Sequence, residues 1–328
     1  MRSATAPPEA RGLARDEVQL LVVTGDGVEQ TRFRHLGEHL SPGDLLVVNT
    51  SATLAAALDG SRADGAPVVV HVATARDDGS WVVEVRPPEA ATGPLHDVRA
   101  GEVLRVHEAT LTVVRTPPGQ HRLHHVRSDV DLRELMWDRG RPIRYAYVAQ
   151  QWPLSTYQTV FAHEPGSAEM PSAARPFSTE LVTDLVTRGV LLAPVTLHAG
   201  VSSQEPGEPP QPERFQVVSA TAELVNHVRS HGRRVVAVGT TVARALETVA
   251  EEDGTVRAGK GWTDLVLGPR RPARVVTGII TGWHEDGASH LPLLETVAGP
   301  APVRAAYAEA ERRGLLLHEF GDSCLLLG

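Results

Sequence analysis

The chain has 328 residues, and at about 150 residues per domain that length suggests two domains. Apolar residues at 41% can build a sizeable core, and 32 basic against 40 acidic residues leave a net charge of −8. These values exclude a wholly disordered chain and one held to nucleic acid or anionic lipid by bulk positive charge. A single cysteine, Cys324, excludes an intrachain disulfide and a cysteine-built zinc site. Residues 1–18 lack the apolar core of a signal peptide, and no run reaches the ~20 apolar residues of a membrane span. A soluble, cytoplasmic protein without a membrane partner is therefore expected. Lys260 is the only lysine, and with 24 prolines the arginine bias reads as coding composition rather than phosphate recognition.

In chain order, residues 20–23 and 44–48 read as short buried strands, with Pro42-Gly43 turning into the second. From about residue 60 to 126 the texture becomes all-β. Strands are expected at 67–72, 80–86, 102–107, 109–114 and 120–126, with Asp78-Gly79 as a hairpin turn. Trp81, Val83 and Val85 alternate with Val82, Glu84 and Arg86, the pattern of a half-buried strand. After Asp129 helices and strands alternate. Ser178 can N-cap a helix with Leu181, Val182, Leu185 and Val186 on one face and Gly189 at its end. A buried strand at 190–197, a helix at 220–231, a strand at 234–238 and a helix at 240–250 follow. Segments 264–267 and 275–280 are strand-like, and 302–313 is helical. The loop 202–212 is rich in Pro, Glu and Gln. Repeated β-α units specify an α/β domain, here residues 1–59 and 131–328, interrupted by an all-β insert at 60–130 that suits a small barrel.

The strongest local signal for chemistry is a strand, 235–238, running into Gly239-Thr240-Thr241 and a helix carrying Arg244 and Glu247. A helix opening on such a turn offers backbone N–H groups and two hydroxyls at its positive end, suited to a carboxylate, a phosphate or ribose hydroxyls. Arg244 and Glu247 fall one turn apart, which is also the spacing of an ordinary surface ion pair. His198 closes the strand 190–197, where sites of α/β proteins gather, and a histidine there can exchange protons near neutral pH. His284, in Trp283-His284-Glu285-Asp286, follows the next strand in the same way, and either histidine is equally compatible with a structural role. His121, His124 and His125 do not share one face of a strand, so no metal site is expected from them.

Several collinear segments resemble one family, the S-adenosylmethionine:tRNA ribosyltransferase-isomerases of queuosine biosynthesis. Pro7-Pro8-Glu9 and Arg15-Asp16 resemble the family's opening, and residues 42–49 its PGDLLVxN segment. Tyr157-Gln158-Thr159-Val160-Phe161-Ala162 is similar to YQTVYA, residues 195–200 to VTLHxG, 238–247 to VGTTxxRxLE, and Gly321-Asp322 to the terminal YGDA. The resemblance implies an α/β fold, a distorted barrel-like α/β domain with an inserted small β-barrel. It implies S-adenosylmethionine as ribosyl-donor substrate, with no metal and no separate cofactor. The implied acceptor is a 7-aminomethyl-7-deazaguanine in tRNA, and the implied products are an epoxycyclopentanediol on that base, adenine and methionine.

Carried onto this chain, the resemblance implies that Gly239, Thr240, Thr241 and Arg244, with Glu247, hold the donor. It also implies that Tyr157, Gln158 and Thr159 line the nucleoside pocket, that His198 is the base at C5′, and that His284 is the acid or a donor contact. Glu213 would orient the acceptor amine. The chain departs from the family at polar positions. Thr50-Ser51-Ala52 stands for Asp-Thr-Arg, Pro176 for the histidine of PTAGLHFT, Ser202-Ser203-Gln204 for GTF, and Gly282 and Glu285-Asp286 for parts of NFHLP. Of HxMHxE only Glu213 remains. Two other readings therefore stand beside the tRNA enzyme. One is an enzyme using S-adenosylmethionine or a related nucleoside with another acceptor or none, and the other is a noncatalytic binding protein. The oligomeric state is left open.

Overall fold

The computed structural model describes residues 1–25, 27–88, 93–201, 211–284 and 291–328. Strands β1 (Gln19–Thr24), β2 (Gly27–Arg32) and β3 (Leu45–Asn49) come first. Six more follow: β4 (Ala57–Arg62), β5 (Pro67–Ala75), β6 (Trp81–Arg86), β7 (Val103–Val106), β8 (Ala109–Arg115) and β9 (Leu123–Ser128). Helices α1 (Leu132–Arg139) and α2 (Thr179–Thr187) lead to β10 (Leu191–His198), β11 (Glu213–Val217), α3 (Ser219–Ser230), β12 (Val235–Val238) and α4 (Thr240–Thr248). Then come β13 (Gly259–Thr263), β14 (Gly278–Gly282), α5 (Leu291–Ala298), α6 (Pro300–Arg313) and β15 (Ser323–Leu327).

Nine of these strands form one mixed sheet in the order β13-β11-β10-β3-β12-β14-β15-β1-β2. Its centre, β10-β3-β12-β14, is parallel. Parallel strands are covered on both faces and so need continuous apolar runs, which Leu45-Leu46-Val47-Val48 and Val235-Val236-Ala237-Val238 supply. Leu45, Val47, Val235 and Ala237 pack with Val225, Leu246, Leu294 and Ala306 of the helices on one face. Leu46, Val48, Val236 and Val238 pack with Phe33, Leu36, Phe177 and Leu185 on the other. Each buried Val, Leu or Phe among them contributes roughly 1.5–3 kcal/mol. Asp44 locks the start of β3 to β12 by accepting from Arg234 Nε at 2.9 Å. Ser178 caps α2 as expected, its Oγ accepting from the Leu181 amide at 3.2 Å, and Gly189 follows at φ +81°.

Strands β4 to β9 close into an antiparallel barrel in the order β8-β9-β6-β5-β4-β7. The α/β fold with an inserted small β-barrel is thus observed. The closing strand β4 begins at Ala57, before the change of texture at residue 60, because Ala57-Leu58-Asp59-Gly60-Ser61-Arg62 carries no β-branched residue to announce it. Its Gly60 is required by packing: a Cβ there would stand 2.5 Å from the Arg105 carbonyl oxygen of β7.

Four expectations are corrected. Strand β6 is buried on both faces rather than half-buried, because Arg122 and His71 cover Glu84, and Arg86 lies over the Tyr145 ring. Residues 264–267 are irregular, and the strand lies just before them as β13, whose sequence GKGWT has no apolar run and is held by pairing with β11. The strand expected at 275–280 is displaced to β14. Val186 is 56% exposed rather than on the packed face of α2. His124 bonds to Thr116 Oγ1 at 2.8 Å, while His125, on the opposite face of β9, accepts from Arg115. No helix among the described residues is long and apolar enough to cross a membrane.

Candidate active site

The parallel strands deliver their C-terminal ends to one side of the large sheet, where a cleft of about 220 Å³ opens. Ala199 and Gly200 beyond β10, Gly239 beyond β12, and Trp283 and His284 beyond β14 line one side. Tyr145, Tyr147, Tyr157 and the segment from Glu169 to Ala173 line another, together with His318 and Glu319.

Gly239 turns the chain from β12 into α4 at φ +99°, a region that disfavours side chains, and its amide bonds to Ile280 O at 2.8 Å. The first helical acceptor bond is that of the Ala243 amide to Gly239 O, so the amides of Thr240, Thr241 and Val242 lie in the first turn, with no side-chain cap among the described residues. Thr240 and Thr241 both line the cleft. Three N–H groups at a positive helix end, next to two hydroxyls, can hold an anionic or hydroxylated ligand.

Glu213 and Arg244, brought together from β11 and α4, form an ion pair on the cleft wall. Arg244 also donates to the carbonyls of Leu265 at 3.0 Å and Thr263 at 3.3 Å, which fixes its guanidinium. Burial pushes the Glu213 carboxyl above its ordinary range, and Arg244 pulls the other way. His284 lines the cleft with Nε2 3.3 Å from Thr281 Oγ1. His198 lies behind the wall made by its neighbours Ala199 and Gly200. Its Nδ1 is 2.7 Å from Ser51 Oγ, which is 2.6 Å from Ser167 Oγ, which accepts from the Ala199 amide. Burial, helped by Arg214 and opposed by Glu164, lowers the His198 pKa.

Of the remaining expected residues, Tyr157 lines the cleft. It is 4% exposed, its hydroxyl has no hydrogen-bond partner among the described residues, and burial raises its pKa. Gln158 points elsewhere and clamps the backbone of Thr53, accepting from its amide at 3.0 Å and donating to its carbonyl at 2.8 Å. Thr159 Oγ1 accepts from the Phe161 amide. Glu247 lies outside the cleft, fully buried, and accepts from the amides of Arg274, Val275 and Val276 and from Arg271. Arg244 and Glu247 therefore do not share a task. Glu285, Asp286 and residues 202–210 lie outside the described residues, while Gln211 lines the cleft.

Sequence reasoning missed a second polar wall. The Tyr145 hydroxyl donates to Glu169 and the Tyr147 hydroxyl to Glu319. The Tyr147 ring stacks on Tyr145 at 5.9 Å and on His318 at 4.0 Å. Burial raises the Glu319 pKa, against the hydrogen bond from Tyr147. The Tyr-x-Tyr of 145 and 147 was the one available signal, and the two rings come together across a turn closed by the Val148 amide on the Tyr145 carbonyl at 3.0 Å.

A protein-family model described as "Queuosine biosynthesis protein" matches residues 1–326. The S-adenosylmethionine:tRNA ribosyltransferase-isomerase of Symbiobacterium thermophilum is 35% identical over 326 residues, covering 95% of this chain and 94% of that protein. That of Acidiphilium cryptum is 35% identical over 343 residues, covering 99% and 95%. The crystal structure of S-adenosylmethionine tRNA ribosyltransferase from Thermotoga maritima is similar at a TM-score of 0.53 and 27% identity, covering 99% of this chain and 96% of that one. With a whole-length family match, full-length relatives and a shared fold, the chain belongs to the queuosine biosynthesis protein family.

Proposed function

We propose that the protein is an S-adenosylmethionine-dependent ribosyltransferase-isomerase acting on a 7-aminomethyl-7-deazaguanine of cytoplasmic tRNA. The observation that carries this reading is similarity over nearly the whole chain to relatives bearing that name. It is supported by the cleft, where segments around 157, 200, 213 and 240, far apart in sequence, meet. S-adenosylmethionine is the ribosyl donor and is consumed as substrate, and the proposed reaction uses neither a metal nor a resident cofactor. Its sulfonium acidifies the C5′ proton, so a neutral imidazole suffices to remove it. At C1′ the bonds to adenine and the ring oxygen give way to bonds to C5′ and to the aminomethyl nitrogen, which gives up a proton, and at C5′ the bonds to hydrogen and sulfur give way to bonds to C1′ and that oxygen. Methionine leaves as a neutral thioether, and adenine departs with a proton from a general acid. The ribosyl carbons remain on the aminomethyl nitrogen as an epoxycyclopentanediol.

The first-turn amides and hydroxyls of Thr240 and Thr241 hold the donor's carboxylate or ribose hydroxyls. Arg244 stays fixed by Glu213 and presents its remaining face to the donor, and Tyr157 forms part of the nucleoside wall. Of the two histidines, His284 stands on the cleft wall, so the proton transfer at C5′ is assigned to it. His198 holds the end of β10 in place through Ser51 and Ser167. In this assignment His284→Ala lowers kcat by about 100-fold or more, whereas His198→Ala leaves kcat within about tenfold. The reverse ranking would move the base to His198.

The direct test incubates the protein with S-adenosylmethionine, with and without tRNA carrying the 7-aminomethyl base, and follows adenine, methionine and tRNA mass. Adenine release that requires that tRNA, with the matching mass gain, is the expected result. Donor binding without tRNA-dependent products would overturn the assigned acceptor, and absence of donor binding would overturn the enzyme.

A further inference from the structure

The carboxylates Glu169, Glu213 and Glu319 all line the cleft, and each reaches it from a different setting. Glu213 is engaged by the guanidinium of Arg244. Glu169 accepts from the Tyr145 hydroxyl. Glu319 is half-buried, and its Oε2 accepts from the Tyr147 hydroxyl. The proposed reaction has so far given Glu319 no task, although the chain around it is the most firmly placed of the three.

Glu319 belongs to a turn closed on itself between Leu316 and Asp322. The Asp322 carboxylate accepts from the Leu316 amide at 2.8 Å and from the Gln19 amide at 2.8 Å, and the Asp322 amide donates back to Leu316 O at 2.9 Å. Inside the turn the Gly321 amide donates to His318 O at 3.0 Å, and Arg11 Nη2 donates to Phe320 O at 2.7 Å. His318 sits at φ +72°, a left-handed conformation that a residue with a side chain rarely adopts. Strain of this kind persists only where the surroundings impose it, and it gathers at functional sites. The His318 amide donates to Trp283 O at 3.2 Å, which ties the turn to the residue before His284. Glu319 thus enters the cleft from a braced turn joined to the strand end that bears the proton-transferring histidine. The stacked rings of Tyr147 and His318 border it.

We infer that Glu319 selects the acceptor by pairing with its aminomethyl group. An aliphatic amine is protonated near neutral pH, so the acceptor presents an ammonium one carbon from a flat base. A carboxylate bordered by aromatic rings suits that combination, through a charge-assisted hydrogen bond and the attraction of a cation to a ring face. Burial raises the Glu319 pKa, and an arriving cation offsets that cost of ionisation. Guanine at the same position of a tRNA brings no such cation and would leave the carboxylate without it. The inference rests on the proposed tRNA reaction and adds the residue that tells the two tRNAs apart. S-adenosylmethionine carries an ammonium as well, and the test separates the two sources.

The test measures three affinities: for tRNA carrying the 7-aminomethyl base, for the same tRNA with guanine at that position, and for S-adenosylmethionine. It compares the wild type with Glu319→Gln, whose amide oxygen still accepts from Tyr147. In the variant, affinity for the aminomethyl tRNA is expected to fall by about tenfold or more, with the other two affinities unchanged. A preference for the aminomethyl tRNA as large as that of the wild type would overturn the inference. An equal fall for both tRNAs would also overturn it, since Glu319 would then only hold the wall in shape. Loss of S-adenosylmethionine affinity with the tRNA preference intact would assign the ammonium to the donor and overturn the acceptor source. If the glutamine variant folds poorly, Tyr147→Phe takes its place. It loosens the carboxylate without removing it, and a smaller fall in the same preference is expected, an unchanged preference again overturning the inference. A wild type that does not distinguish the two tRNAs would instead overturn the parent reading of the acceptor, before any variant is compared.

Discussion

At the scale of single residues, the sequence motifs divide into those that face the cleft and those that hold its floor. Glu9 pairs with Arg175 at 2.9 Å and Asp16 accepts from Ser178 Oγ, so the opening residues brace the segment behind Ser172 and Ala173. Arg244 does both jobs, gripping two carbonyls and Glu213 while standing on the cleft wall. Arg244→Ala would leave the Glu213 carboxylate buried and unpaired, and a loss of about 3–5 kcal/mol in stability is expected from denaturant unfolding. Calorimetry should also show weaker S-adenosylmethionine binding, and Arg244→Lys should restore little of either, because an ammonium cannot reproduce the planar fork. Undiminished donor affinity in the folded alanine variant would remove Arg244 from the donor site.

At the scale of elements, α4 is a lever fixed at one end and open at the other. Its first turn presents amides to the cleft, while Glu247 in its last turn is tied to the 274–276 backbone by three amides. Replacing Glu247 by Ala strands those buried donors, with an expected cost of about 2–4 kcal/mol. The kcat of the protein that remains folded should change little, and a large fall in kcat at normal stability would place Glu247 in catalysis. The Gly239-Thr240-Thr241 turn was legible in the sequence because all its parts are adjacent. The role of Glu247 was not: its partners lie more than 20 positions away in an irregular segment without periodicity. Tyr147 and Glu319 escaped for the same reason, being 172 positions apart and joined only by the fold. The parallel core strands were visible as apolar runs, whereas β13 and β4, poor in β-branched residues, owe their conformation to neighbours.

At the scale of the whole molecule, the buried charges around Glu84 bind the barrel wall together and set an acid limit on stability. Burial alone would raise the Glu84 pKa, but the neighbouring His71 and Arg86 outweigh it and leave it at about 2. Because that lies below the ordinary value of 4.5, the stabilisation is complete above pH 4.5 and drains away as pH falls towards 2. Thermal melts between pH 6 and 2.5 should show this fall in the wild type. Glu84→Gln should be less stable at neutral pH, because Arg86 and Arg122 both lose this carboxylate, and should show a shallower acid decline. A parallel decline in both proteins would mean that other carboxylates set the limit.

The placement of β15 has a consequence for how the molecule is made. It lies between β14 and β1, antiparallel to one and parallel to the other, and Asp322 just before it accepts from the Gln19 amide 303 positions away. The hairpin of β1 and β2, synthesised long before β15, therefore has no lateral partner on its inner edge until residues 323–327 emerge. During synthesis its inner edge stays unpaired until β15 arrives to join it to the other strands of the sheet. Such a sheet closes slowly, because its decisive contact is among the most distant in sequence.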